Sequence, residues 1–208
     1  MFEQETHQNN KVELLGTISG DFTFSHSVYG ERFYSFFVSV DRLSQCTDSI
    51  LVTASEHILD ENIFTQGNYV CIAGQYRSYN NYTGVGNKLI LTVFVKHMAH
   101  YCTDCEDKNP NSIYLSGFIC KPPTFRTTPF GREITDLLLA VNRTHNKSDY
   151  IPCICWGRNA RFASTLCVGD HIDLHGRIQS REYQKKINEN DYVTKTAYEV
   201  SVSKIELL

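Results

Sequence analysis

The chain repeats itself, and the repeat limits what it can fold into. "NKVELLG" (Asn10 to Gly16) lies over "NSIYLSG" (Asn111 to Gly117), 101 residues further on. At the same spacing Gly30 falls on Gly131, and "VDR" at Val40 to Arg42 falls on "VNR" at Val141 to Arg143. After one residue of slip, "GNYVCIAGQ" (Gly67 to Gln75) lies over "GDHIDLHGR" (Gly169 to Arg177) at a spacing of 102. Anchors this scattered, with a single one-residue gap, mark a tandem duplication. The 208 residues divide into two units of about 100 residues each, an ordinary size for small domains. The expected boundaries are 10–100 and 111–208, with "HYCTDCEDKNPN" as the join and 101–110 as the linker.

Each copy reads as strands. Val70, Ile72, Gly74 and Tyr76 alternate with polar or small residues, and so do Ile172, Leu174, Gly176 and Ile178. Tyr34, Phe36, Val38 and Val40 show the pattern earlier in the first copy, and Leu89, Leu91, Val93 and Val95 show it later. A period of two is the mark of a half-buried strand. The period changes once per copy. "WGRNARFASTLCVGD" puts Ala160, Ala163, Leu166 and Cys167 at helical spacing and stops at Gly169; "SEHILDENIFTQG" does the same with Ile58, Leu59 and Ile63 and stops at Gly67. Three strands, a short helix and two more strands is the order of a five-stranded OB barrel. The expectation is therefore an all-β chain of two tandem OB folds, each with one short helix between strands 3 and 4. Gly74 and Gly176, mid-strand, suit a tight barrel bend. An immunoglobulin-like sandwich is the competing all-β fold, but it has no place for a helix after its third strand.

The eight cysteines do not point to a disulfide framework, because chains of this length bury a sufficient core without one. Cys71, Cys120, Cys153 and Cys155 lie in apolar runs, where a reduced thiol acts as a small hydrophobe. The polar, acidic start "MFEQETHQNN" is no secretion signal, and no stretch is apolar enough for a membrane helix, so a cytoplasmic protein is expected. The net charge of −3 is unevenly spread: residues 1–100 hold six Lys/Arg against ten Asp/Glu, and residues 110–208 hold thirteen against ten. The second copy is the candidate for an anionic partner.

That copy resembles the bacterial single-stranded DNA-binding proteins almost end to end. The resemblance is carried by "NSIYLSGFICKPPTFRTTPFGREITDLLLAVNR", by "YIPCICWGRNARFASTLCVGDHIDLHGRIQSREY" and by the closing "VSKIEL". It implies an OB-fold protein of DNA replication, recombination or repair, at the nucleoid, with no cofactor. It also implies stacking aromatics at Tyr150, Trp156 and Tyr183, with Lys185 and Lys186 in a long hairpin that follows the strand. A further stacking position of the family holds His145 here, a weaker platform, and the acidic, proline-containing tip of the family does not follow "KIELL", so recruitment through a tail is not expected. The residue types fit the chemistry, since sequence-tolerant binding of single strands needs flat faces for bases and cations for phosphates. Arg126, Arg143, Arg158, Arg177 and Arg181 supply the cations; Arg177 and Arg181, at even spacing on one strand, share a face.

The first copy has lost most of this set. Ser49, Ser55 and Ser25 stand where the second has Tyr150, Trp156 and Arg126, although Tyr79 and Tyr82 remain as candidate contacts. Its expected role is assembly. The resemblance implies a four-barrel particle, which two-barrel chains reach as a homodimer. Phe33 and Phe37 lie opposite the Tyr34–Phe36–Val38 face, so at least one is expected to be left for a partner. The runner-up reading is a replication-restart accessory resembling the primosomal replication protein B family, using the barrels chiefly for protein contacts. His97, His100, Cys102 and Cys105 are zinc-type ligands, but one short run rarely wraps a metal, and a solvated linker is the favoured reading. No phosphate loop, nucleophile elbow or His-Glu-x-x-His pattern is present, so a non-enzymatic protein is expected.

Overall fold

A computed structural model of the chain describes residues 9–42, 44, 46–60, 63–80, 89–101, 110–144, 146–186 and 192–208. The first half contributes β1 (Asn10–Val28), β2 (Glu31–Asp41), β3 (Thr47–Ser55), β4 (Tyr69–Asn80) and β5 (Leu89–His100). The second contributes β6 (Asn111–Ile119), β7 (Thr124–Thr127), β8 (Glu133–Arg143), β9 (Lys147–Trp156), the helix α1 (Arg158–Ala163), β10 (His171–Lys186) and β11 (Tyr192–Leu207). In the first half the strands run in the order β2-β3-β5-β4-β1, and a β1–β2 pairing closes the ring. In the second the order β6-β10-β11-β9-β8 is closed by β6–β8, and β7 continues the sheet beyond β8.

The duplication is legible in the register. Phe33 pairs with Ser55 and Asp41 with Thr47 across β2–β3; Ile134 pairs with Trp156 and Asn142 with Ser148 across β8–β9, each partner 101 residues further on. The alternating residues point where their period requires: Val70, Ile72, Tyr76, Ile172, Leu174 and Ile178 are all buried. Each half has a register shift at its mid-strand glycine, between Ala73 and Gly74 and between His175 and Gly176. A Cβ on Gly74 would run into the Phe94 carbonyl oxygen, and one on Gly176 into that of Ser201. Only glycine lets the neighbouring strand come this close at the bend.

The halves differ after their third strand. In the second, Ala160 and Ala163 of α1 are fully buried with Leu166 nearby, and the Thr135 hydroxyl donates to the Ala160 carbonyl at 2.7 Å. Cys167, expected on the same face, is exposed. In the first half the described residues of the segment form turns. Ile58 and Leu59 both donate to the Ser55 carbonyl, and Ile63 and Phe64 both donate to that of Asp60. Each turn holds one i→i−4 bond, Leu59 to Ser55 and Phe64 to Asp60, and among the described residues no ladder of successive bonds follows from either, as a helix needs. Ile63 is consequently exposed, and Phe64 takes the buried place, stacked on His100.

The halves are joined by β1 and β6, which pair antiparallel. Val12 lies opposite Ile113, its own counterpart in the repeat, with Asn10 opposite Leu115 and Leu14 opposite Asn111. Equivalent strands crossing at equivalent residues is the geometry of a two-fold, self-complementary contact. The polar contacts obey the same pseudo-symmetry. Asn10 donates to the Tyr76 carbonyl and accepts from the Tyr76 N–H, as Asn111 does with Ile178. Asp48 accepts from the Ser180 N–H at 2.7 Å, and Asp149 from the Ser78 N–H at 2.6 Å. The edge of "VELLGTI" is thus used within the chain. Phe33 is buried between His26 and Phe94, and Phe37 is the phenylalanine left exposed.

Candidate nucleic-acid interface

The outward face of β9 carries Tyr150, Pro152, Ile154 and Trp156, because residues two apart share a face. Tyr150 and Trp156 are exposed at 48% and 37%, and six residues of strand put them roughly 20 Å apart. Between them Pro152 is half-buried and Ile154 buried, beside Leu138 and Asp136 of β8, so the rings stand at the ends of a mostly apolar strip. Tyr150 is fixed from the other half of the molecule: its N–H donates to the Ser78 hydroxyl at 2.8 Å. At the far end Arg126 of β7, Ile134 of β8 and Trp156 lie in one row across three strands. The Arg126 guanidinium donates to both oxygens of Asp136 at 2.6 and 3.1 Å, a pairing that raises its pKa while leaving it half exposed. Arg158, on the helix that follows, is exposed and has no side-chain partner among the described residues.

The remaining candidates divide. Arg181 lies 5.9 Å from the Tyr183 ring and 3.8 Å from Glu199 while staying more than half exposed. Tyr183 is itself exposed, opposite Lys195 on the β10–β11 hairpin, and Lys185 and Lys186 continue that strand opposite Val193 and Tyr192. Arg177 reaches across the junction to within 3.8 Å of Asp48. Arg143 is drawn into the junction: its Nε is 3.1 Å from the fully buried Asp149, and its guanidinium lies 5.7 Å from the Tyr79 ring of the other half. The Arg143–Asp149 contact is close enough for an ion pair but is not aligned as a hydrogen bond. Burial therefore prevails and holds the Asp149 carboxyl above the usual carboxylate range, against the pull of the Ser78 N–H and of Arg143. Tyr82, His145, Cys102 and Cys105 lie outside the described residues. His97 is exposed, His100 is bonded to the Ile63 carbonyl, and no group of three or more metal-ligating side chains occurs among the described residues.

In the first half the matching face of β3 carries Ser49, Leu51, Thr53 and Ser55. Hydroxyls satisfy one another there: Thr53 bonds Ser35 and Thr92, and the Ser55 hydroxyl donates to Glu31. Arg32 is taken by Glu56 at 2.7 Å. Ser25, in the place of Arg126, bonds its neighbour His26. The sequence reading missed the junction partners Ser78, Ser180, Asp48 and Asp149. The signal available was a pair of aspartates, Asp48 and Asp149, kept at equivalent places 101 residues apart in the two copies.

The model of the single-strand binding protein family matches residues 110–208. The single-stranded DNA-binding protein B of Bacillus subtilis (strain 168) is 33% identical over 91 residues, covering 40% of this chain and 80% of its own length. The chain belongs to the single-strand binding protein family. The single-stranded DNA-binding protein of Clostridium tetani is 36% identical over 91 residues, and the A protein of Bacillus subtilis 33% over 96. The chain spans 63% and 56% of the lengths of these two relatives. Among solved structures, the wild-type single-stranded DNA binding protein from Thermus aquaticus superposes with a TM-score of 0.71 at 17% identity, covering 96% of this chain and 92% of that one. A deletion mutant of the same protein gives 0.69 at 18% identity. The family model thus matches the second half, while the likeness of fold extends over both.

Proposed function

We propose that the chain is a non-enzymatic, sequence-tolerant single-stranded DNA-binding protein of replication, recombination or repair, acting in the cytoplasm at the nucleoid. It is built from two OB-fold domains, 10–100 and 111–208, joined by 101–110, and its DNA contacts are concentrated on the second. The observation that carries this reading is the strip from Tyr150 to Trp156: two exposed rings with an apolar floor between them, flanked by Arg126 and Arg158. Bases of any sequence stack on such rings, and the cations take the phosphates. Arg181, Tyr183, Lys185 and Lys186 extend the path along the hairpin, while Arg143 contributes by holding the halves together. The first domain serves chiefly in assembly. Since the β1 edge is already paired with β6, a second copy completing a homodimer has to use the outer faces; light scattering should then report about twice the 23.8 kDa chain mass.

The test of binding is a titration with oligo(dT) following Trp156, the sole tryptophan, at two salt concentrations. Quenching that weakens as salt rises is expected, because phosphate contacts release counterions. Trp156→Phe and Tyr150→Ala, followed by anisotropy of a labelled oligonucleotide, test the strip; losing the Tyr150 ring should cost about 1–3 kcal/mol of affinity. Unchanged binding in both variants would refute the site. A wild-type chain that ignores oligo(dT) altogether would favour the protein-bridging role instead.

A further inference from the structure

We propose that the apices of two barrel hairpins, Tyr29 in the first half and Phe130 in the second, are additional base-stacking platforms for single-stranded nucleic acid. The proposal rests on the DNA-binding reading above and extends it beyond the β9 strip, to a half whose matching strand, β3, carries no rings. Both side chains stand in solvent: Tyr29 is fully exposed and Phe130 is exposed at 92%, the two most exposed large apolar side chains among the described residues. Neither makes a ring contact or a side-chain hydrogen bond among the described residues.

The turns that hold them are built differently. Val28 pairs with Glu31, and both residues between them, Tyr29 and Gly30, have positive φ (50° and 89°), the pattern of a two-residue hairpin loop that favours Asn-Gly. In the second half the Gly131 N–H donates to the Thr128 carbonyl and Gly131 has φ 74°, giving a three-residue loop with Pro129 in its leading position. Two loop types arrive at one outcome, an aromatic ring directly before the apical glycine. At Tyr29 a bulky side chain also sits in left-handed backbone, which is sterically unfavourable, and the ring gains no contact in the fold that would offset it. A residue that burdens its turn and packs against nothing is placed for something outside the fold.

The occupant follows from what adjoins the second apex. Phe130 is four residues from Arg126 on one arm of its hairpin and four from Ile134 on the other, so the apex projects just beyond the row that holds Arg126, Ile134 and Trp156. Arg132, beside it, is exposed and has no side-chain partner among the described residues, a cation next to a flat ring. Base stacking with a neighbouring phosphate contact is the chemistry such a pair performs on a single strand.

The test moves the tryptophan. Full-length chains carrying Trp156→Phe with Phe130→Trp, or Trp156→Phe with Tyr29→Trp, are titrated with oligo(dT). Quenching at both apices is expected, and Phe130→Ala should weaken binding about fivefold in the Trp156 titration. Tyr29→Asn, which suits the turn, should raise the melting temperature and weaken binding together, an opposition that a purely structural residue would not produce. If Trp156 responds in the wild-type chain while both apical tryptophans stay silent, the apices are refuted and the β9 strip stands. If only position 29 is silent, the first half's share is overturned. No response of Trp156 in the wild-type chain overturns the binding reading and this proposal together.

Discussion

Removing the Asp48 carboxylate should destabilise the whole molecule. Asp48 is fully buried and accepts from the Arg42 Nε at 2.7 Å, from the Arg42 Nη2, and from the Ser180 N–H of the other half. Asp48→Ala strands a guanidinium whose side chain is only 20% exposed and leaves a junction N–H unpaired. Breaking a buried pair by removing one partner costs about 3–5 kcal/mol. The partial exposure of Arg42 lets some water in, which places the expected loss near the lower end, about 3 kcal/mol. For a chain of this length that corresponds to roughly 6–12 °C in melting temperature. Asp149→Ala, at the pseudo-symmetric site, should cost less, about 1–2 kcal/mol, because its arginine contact is not an aligned hydrogen bond and burial already disfavours its charge. Urea unfolding followed by Trp156 emission and by far-UV circular dichroism measures both variants. Arg42→Ala combined with Asp48→Ala should recover part of the loss, since the more buried of the two guanidinium groups facing Asp48 is then removed with it, and Arg177 is better solvated. A loss below about 1 kcal/mol for Asp48→Ala, or equal losses at the two sites, would refute the reasoning.

Two further outcomes are expected. Gly176→Ala and Gly74→Ala should each destabilise by about 1–3 kcal/mol in thermal unfolding, since the new methyl meets a carbonyl oxygen of a paired strand that has little room to move. A thiol reagent at pH 8 should label Cys46 and Cys167 quickly, and Cys153 and Cys155 only after unfolding, because burial pushes the Cys155 thiol up to about 12 and that of Cys153 well above the ordinary value.

Much of this was legible in the sequence for a specific reason. Strand positions such as Val70–Ile72 and Ile172–Leu174 announce themselves by a period of two, and the duplication supplies an internal control that a single domain lacks. The spacing of 101 recurs in the structure, where β2–β3 and β8–β9 pair at equivalent positions. The turn after β3 misled, because Ile58, Leu59 and Ile63 fit a helical stripe, whereas the backbone there closes separate turns around Ser55 and Asp60. The rings of the β9 strip were placed by the resemblance rather than by periodicity; the structure adds that Tyr150 and Trp156 are exposed at two ends of one strand face. The fate of Arg143 could not be read: periodicity shows which face an arginine occupies, not that an aspartate six residues on and a tyrosine from the other half will claim it. Tyr29 and Phe130 were passed over because an aromatic in a turn carries no periodic signal at all.

The crossing of β1 with β6 at Val12 and Ile113 has a consequence for how the two faces can change. Were the same contact formed between two identical chains, each substitution would appear on both sides of the axis, and losing an aromatic from one face would lose it from the other. The contact would also loosen on dilution. Written into one chain, the junction meets itself at a fixed effective concentration whatever the amount of protein. Each side of the axis is then free to vary alone. Hydroxyls and carboxylates could replace rings and arginines on β3 without touching β9, and one half could become the support that holds Tyr150 through Ser78 while the other keeps the strip.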